Sequence, residues 1–275
     1  MTEMLRRSRT NAAVWAALSG TTVGDAWLRR DEPKSPELVA RYQEAVAQLA
    51  RGVPFAYAVR RAGFRTLDLL IDSRALIPRP ETEGLVDLVL DSIKRDVGRG
   101  AWGVAADVGT GSGCIALALA TEGKFERVVA VEGSAAAAAL ARENVARVRP
   151  ATPVEIREGD LLAPLAGARY RVIVANPPYL TDAEYDALDP SVKSFEPREA
   201  LVSGQGGLDA TDALLAGAVA LLEPGGLLAL EIDERRGDAV RDLAHAHGWT
   251  RIDVHDDIFG RPRYALAYPG AWPRG

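Results

Sequence analysis

Residues 104–120, "VAADVGTGSGCIALALA", read as an apolar strand, a glycine-rich turn and a helix in immediate succession. Gly109, Gly111 and Gly113 let the backbone turn sharply and come close to a ligand. The helix that follows leaves N–H groups free for an anion such as a carboxylate or phosphate. A dinucleotide-binding turn wants its third glycine three residues after the second. That position is Cys114, so the spacing is G-x-G-x-G and a nicotinamide reading is disfavoured. Asp107, at the strand end, suits a nucleoside-bearing cation better than a diphosphate.

Downstream, strand-like and helix-like patterns alternate. The strand candidates are 104–108, 127–131, 153–157, 171–175, 226–232, 250–254 and 263–268, and the helices between them 112–122, 134–147, 209–222 and 236–247. Such alternation implies βαβ units, hence a doubly wound, mostly parallel seven-stranded sheet with helices on both faces. Only a loop separates the last two strands, so the last strand is expected to run antiparallel. "VVAVEGS" (128–134) ends the second strand on Glu132, 21 residues beyond Gly111, where a carboxylate can accept both ribose hydroxyls of an adenosine. Asp160 ends the third strand, either as an acceptor for an adenine amino group or as an ordinary turn aspartate.

The fourth strand ends on "NPPYL". Ligands of open α/β sheets bind beyond the carboxyl ends of the strands, which puts Asn176 beside the glycine turn. The Asn carbonyl and a proline carbonyl can both accept from one planar –NH₂ group, and the prolines carry no N–H to repel it. Tyr179 can lay its ring against the same group. The arrangement fixes an amide or arylamine nitrogen against an electrophile, and the electrophile expected from the glycine turn is the methyl of a sulfonium cofactor.

Upstream, the first sixty residues are helix-like. "SPELVARYQEAVAQLARG" (35–52) has Ser35 as N-cap, Pro36 at the first helical position and Gly52 beyond the end. "FRTLDLLIDS" (64–73) reads as one strand of a hairpin. "ALIPRPETEGLVDLVLDSI" reads as a Pro-x-Pro elbow entering an amphipathic helix, and "RDVGRGAW" (95–102) as the break between domains. The N-terminal segment mimics a signal peptide, but Ser19, Gly20 and two threonines break its apolar run, so a cytosolic amphipathic helix is expected.

Composition narrows the classes. The 275 residues carry 33 Lys and Arg against 38 Asp and Glu, a net charge of −5. That argues against broad phosphate-neutralising nucleic-acid binding. A single cysteine, Cys114, rules out an internal disulfide and a Cys-rich zinc site; it reads as core filler. His245 and His247 stand two apart on a helix and do not face each other, so no metal site is expected. The arginines of "LRR", "WLRR" and "VRR" (Arg60, Arg61) could meet an RNA-bound partner or simply solvate helix faces. No stretch approaches the ~20 apolar residues of a membrane span, and a cytoplasmic protein is expected.

Taken together, "DVGTGSG", "VVAVEGS" and "NPPY" resemble class I S-adenosylmethionine-dependent methyltransferases acting on planar –NH₂ groups. "LIPRPETEGLVD" (76–87) and "FEPREALVSGQGGLD" (195–209), with "RGVPFAYAVRRAGF" (51–64) and "DDIFGRPRYALA" (256–267), resemble the release-factor glutamine methyltransferase family. The resemblance implies a Rossmann-like methyltransferase domain over 101–275, a hairpin linker and connecting helix over 61–100, and a helical substrate-docking domain over 1–60. It implies methylation of the glutamine amide in the Gly-Gly-Gln motif of a peptide-chain release factor. A ribosomal-protein glutamine or the exocyclic amine of a nucleic-acid base stays open as the acceptor. S-adenosylmethionine would be held by Asp107, Gly109, Thr110, Gly111, Ser112, Gly113, Glu132, Asp160, Leu161 and Asn176, with Arg79, Pro80 and Thr82 lying over it. Asn176, Pro177, Pro178 and Tyr179 would hold and activate the glutamine amide, with Phe195 and Glu196 shaping the pocket mouth. A monomer is expected, with no membrane partner and no sequence-specific nucleic-acid contact. Relative to the family, the region before residue 50 looks short, Glu132 stands where Asp is frequent, and Leu161 where an aromatic is frequent. "LEIDERRGDAV" (230–240) keeps a Glu but has Ile and Asp where a glycine is common.

Overall fold

A computed structural model describes residues 3–97, 100–204 and 206–270. Four helices open the chain: α1 (Glu3–Ser19), α2 (Val23–Leu28), α3 (Pro36–Ala50) and α4 (Phe55–Val59). The Ser35 hydroxyl accepts from Leu38 N–H, satisfying one of the orphan donors that start α3, and Pro36 takes the first helical position. Val14, Leu18, Ala45, Ala58 and Val59 form a small core of their own, and Trp15 stacks on Tyr42 with centroids 4.1 Å apart.

A hairpin follows, β1 (Arg61–Phe64) and β2 (Leu67–Leu70), paired antiparallel. The single strand expected over 64–73 is therefore divided by a turn at Arg65–Thr66. Arg65 sits at φ 53°, a conformation non-glycine residues rarely take. What holds it there is distant in sequence: its guanidinium pairs with Glu122 and Asp87, and its N–H donates to the Glu83 carboxylate.

Then come α5 (Pro80–Val97), β3 (Val104–Val108), α6 (Cys114–Glu122), β4 (Arg127–Glu132), α7 (Ala135–Val148), β5 (Val154–Glu158) and β6 (Tyr170–Ala175). Two short helices, α8 (Asp182–Asp186) and α9 (Pro190–Lys193), lead to α10 (Asp209–Ala218), β7 (Leu222–Glu231), α11 (Gly237–Ala246), β8 (Arg251–Asp256) and β9 (Pro262–Tyr268). The seven large-sheet strands run in the order β5-β4-β3-β6-β7-β9-β8, with β9 antiparallel to both neighbours. β7 starts earlier than the 226–232 expected, because its pairing skips from Tyr170↔Leu222 to Val172↔Leu227 and the Pro-Gly-Gly segment bulges out between them.

Side chains alternate between the two faces as the pleat requires. Ala105, Val128, Val172, Val174 and Ala229 join Leu85, Val86, Val89 and Ile93 of α5 and residues 115–120 of α6 in one core. Ala106, Val129, Ile173 and Leu228 join Leu214 and Leu215 of α10 and Val240 of α11 in the other. α5 thus packs as a layer of the sheet rather than with the N-terminal helices.

Gly84 makes that packing possible. A Cβ there would lie 2.4 Å from the hydroxyl oxygen of buried Tyr264, which is itself tied to the Glu81 carbonyl at 2.6 Å. Gly84→Ala is expected to cost about 1–3 kcal/mol by overpacking, despite the better helix propensity of alanine; urea denaturation checks it. Among the described residues no helix is long and apolar enough to cross a membrane.

The chain reverses its direction of strand addition between β3 and β6, which are neighbours paired Val108↔Ala175. A crevice opens beyond their carboxyl ends at such a switch point. Gly109 and Asn176 are the residues that follow those two strand ends.

Candidate active site

The glycine turn after β3 is bound to the neighbouring strand: Gly109 and Thr110 N–H both donate to the Val131 carbonyl, at 2.9 and 3.0 Å. Gly109 and Gly111 lie at φ 73° and 56°, where a side chain would be strained. A Cβ built on Gly109 would meet no other described residue within 4 Å beyond its chain neighbours, so the turn presents bare backbone to open space. Asp107 lies behind this turn, fully buried. One carboxylate oxygen accepts from the Thr110 hydroxyl (2.5 Å) and from Ala116 N–H (3.0 Å), while the other has no hydrogen-bond partner among the described residues. Burial pushes its carboxyl up to about 7.

Glu132, at the end of β4, accepts from Gly111 N–H through one oxygen (2.7 Å) and from Ser134 N–H through the other (2.9 Å). Each oxygen keeps a lone pair for a further donor. Asn144 of α7, fully buried, binds both the N–H and the carbonyl of Leu70 and also accepts the role of donor to the Ser112 carbonyl, so hairpin and glycine turn share one amide. Nothing in the helical pattern of 134–147 singled it out, beyond being an amide on a buried face.

A cavity of about 810 Å³ spreads from this turn. Of the residues expected in the site, Arg79, Thr82, Gly109, Thr110, Gly111, Ser112, Glu132, Asp160, Leu161, Asn176 and Pro178 line it. Asp107, Gly113, Pro80, Pro177, Tyr179, Phe195 and Glu196 stand outside the lining. Gly113 packs toward Ala141 and Leu117, and Pro80 begins α5. Glu196 is buried beneath the Pro-x-Pro elbow, accepting from Arg79 (2.7 Å) and from Ile77 N–H (3.3 Å), and so fixes where Arg79 stands. Phe195 packs into an apolar cluster with Tyr57, Ile71 and Leu140. The stretch just after this pair, including Pro197, Val202 and Ser203, supplies cavity wall instead. Its backbone meets the Asn176 loop: Tyr179 and Leu180 N–H both donate to the Leu201 carbonyl.

At the floor, Asn176 Nδ2 donates to Thr82 Oγ1 at 3.1 Å, and the Thr82 hydroxyl donates to Glu231 Oε2 at 2.7 Å. Glu231 terminates β7, is 1% exposed, and was not among the residues expected in the site. The available signals were the Glu that "LEIDERRGDAV" keeps relative to the family and its place closing the otherwise apolar run "LLALE". Burial raises it to about 7, with the Thr82 hydrogen bond and the Arg263 and Arg79 charges opposing the rise. Burial and the Glu231 charge push the Tyr179 phenol up to about 12, so it stays protonated at neutral pH.

Two carboxyls raised in the folded state make stability depend on pH. Between the unfolded values, 3.8 and 4.5, and the folded values near 7, the native state holds more protons than the unfolded one. Stability is therefore full below that window and lost as pH rises through it. The melting temperature is expected to fall from pH 5 to pH 8, and Asp107→Asn to flatten the profile; a calorimetric pH series reads both.

The remaining candidates carry less. Cys114 lines the cavity, but burial pushes its thiol up to about 12, away from nucleophilic chemistry. His247 pairs with Asp212 at 2.8 Å while His245 is exposed, and no cluster of three metal-ligating side chains occurs among the described residues. Arg61 is spent on Asp68 and the Ala17 carbonyl, joining hairpin to α1. The side chains of the "LRR" at residues 5–7 lie outside those described.

A family model described as "Methyltransferase small domain" matches residues 87–192. A release factor glutamine methyltransferase of Moorella thermoacetica is 43% identical over 241 residues, 87% of this chain and 83% of its own. Another, from Xylella fastidiosa, is 40% identical over 96% of this chain and 94% of its own length, so little of it lies outside the match. In fold, the chain is similar to the crystal structure of a methyltransferase from Pyrococcus furiosus, with TM-score 0.55 and 21% identity over 85% of this chain and 98% of that one.

Proposed function

The chain belongs to the release factor glutamine methyltransferase family, and on that footing we propose that it methylates the side-chain amide nitrogen of the Gly-Gly-Gln glutamine of a peptide-chain release factor. The observation that carries the chemistry is the Asn176 amide, anchored by its nitrogen to Thr82 at the cavity floor.

The residues present suit S-adenosylmethionine. The bare backbone at Gly109 leaves room that any side chain would fill. Glu132 keeps a free lone pair on each oxygen, suited to a pair of ribose hydroxyls. Asp160 and Leu161 line the same cavity and would meet the adenine, and Arg79 would close over the cofactor from the elbow that Glu196 pins. The cofactor would supply an electrophilic methyl on a sulfonium.

This chain's part is to hold and orient the acceptor. With Nδ2 engaged, Asn176 offers Oδ1 to the substrate –NH₂, and a backbone proline carbonyl of the same turn would offer a second acceptor. Two acceptors on one amide nitrogen stabilise it as positive charge develops there in the transition state. The nitrogen becomes acidic as it is methylated and loses its proton to water, so no strong base is required. We place the reaction in the cytoplasm and assign the docking of the release factor to the N-terminal helices, α1–α4.

The test is incubation with S-adenosylmethionine and either a release factor or its Gly-Gly-Ala variant. A gain of one methyl on the first alone supports the reading. Methyl on a ribosomal protein or on DNA, with none on the release factor, overturns it.

A further inference from the structure

We propose that Glu231 and Thr82 are positioning residues that set the polarity of the Asn176 side chain, so that its carbonyl rather than its –NH₂ faces the substrate amide. The proposal rests on the amide-methylation reading above. A threonine hydroxyl has one proton. Given to Glu231 at 2.7 Å, that proton leaves the oxygen able only to accept, and what it accepts is Asn176 Nδ2 at 3.1 Å. The two ends of an amide differ by an atom type and little in shape, so packing alone selects its orientation poorly. Thr82 is 2% exposed, Glu231 is 1% exposed, and 149 residues separate them, so the contact exists only in the folded sheet.

Reversal has a defined chemical consequence. A protonated Glu231 can donate to Thr82, whose own proton is then free to point at Asn176. The Asn176 amide can now turn, setting an –NH₂ against the substrate –NH₂. Donor then opposes donor, and the acceptor needed in the transition state is lost. The groups that face Glu231 are Arg79 and Glu81 before and on α5, Cys114 on α6, Tyr179 of the Asn176 loop, and Arg263 and Tyr264 on β9. Burial outweighs the two guanidinium charges, and the carboxyl titrates at about 7. The relay is therefore complete above neutrality and undone below it.

The prediction for wild type is a kcat that rises about tenfold per pH unit on the acid side and levels above about 7, while S-adenosylmethionine affinity stays flat. Asp107 titrates in the same range, so Glu231→Gln decides between them. It keeps the acceptor for Thr82 and removes the titration, giving a lower plateau without the acid limb. An acid limb that persists in Glu231→Gln overturns the assignment. Thr82→Val should lower kcat by about 30–100-fold with cofactor Kd within about threefold, and Thr82→Ser should recover turnover to within about tenfold of wild type. Loss of kcat and cofactor affinity in equal proportion in Thr82→Val would make Thr82 a cofactor contact and sink the idea. A third measurement does not need the substrate: the Asn176 side-chain –NH₂ resonances in nitrogen-15 spectra should titrate with a midpoint near neutrality in wild type and in Asp107→Asn, and stay fixed in Glu231→Gln. If wild type transfers no methyl to a release factor, the functional reading fails while this titration still supports or refutes the relay. Resonances that fail to titrate in wild type refute it.

Discussion

Asn176→Ala is expected to lower kcat by about 10²–10³-fold while leaving S-adenosylmethionine affinity within about threefold. The side chain removed is the one whose Nδ2 is fixed on Thr82 and whose Oδ1 is the proposed acceptor for the substrate amide. The glycine turn, Glu132 and Asp160 are untouched by the change. The backbone also stays in place, because Pro177 and Pro178 restrict it and Tyr179 and Leu180 N–H remain bonded to Leu201. Deletion therefore costs an interaction made as charge develops on the nitrogen and little that is made in the ground state. Single-turnover kinetics beside calorimetric binding separate the two. A parallel loss of both would make Asn176 chiefly a cofactor contact.

Gly109→Val should act in the opposite sense, lowering S-adenosylmethionine affinity by about 100-fold or more, equivalent to roughly 2.7 kcal/mol. The residue sits at φ 73°, and among the described residues nothing beyond its own chain neighbours lies within 4 Å of its missing Cβ. Valine there takes up cavity rather than striking the fold. Its backbone strain is about 1–2 kcal/mol, a melting shift of a few degrees. Calorimetry of a variant shown to be folded by its melting curve reads the effect. Affinity within threefold of wild type in a folded protein would remove the glycine turn from the cofactor site.

The large elements were legible because their signals are local. Strands such as Val104–Val108 and helices such as Pro36–Ala50 announce themselves by apolar period, by the Ser35 cap and by Pro36. The hairpin was read less well. Its turn depends on Arg65 being held at positive φ by Glu122 and Asp87, neighbours that no local window contains. Phe195 and Glu196 illustrate a different limit. The residues just after them supply cavity wall, and which side chains turn into the cavity depends on how Glu196 meets the elbow at Ile77 and Arg79.

Glu231 and Asn144 were not legible as part of the site. A lone carboxylate closing a strand and a lone amide inside a helix are common, and only their buried partners make them specific.

The alternation of strands and helices, the glycine turn, the acid at Glu132 and the Asn-Pro-Pro-Tyr strand end are readable from the residues alone. Each rests on backbone conformation and short-range spacing, which the chain carries wherever it folds. Folding places β3 and β6 side by side, so that Gly109 and Asn176 face one crevice. It also brought Thr82 between Asn176 and Glu231. Burial and hydrogen-bond direction belong to neighbours in space, not to neighbours in sequence. A threonine on α5 and a glutamate at the end of β7 share one proton only after the sheet has closed around them.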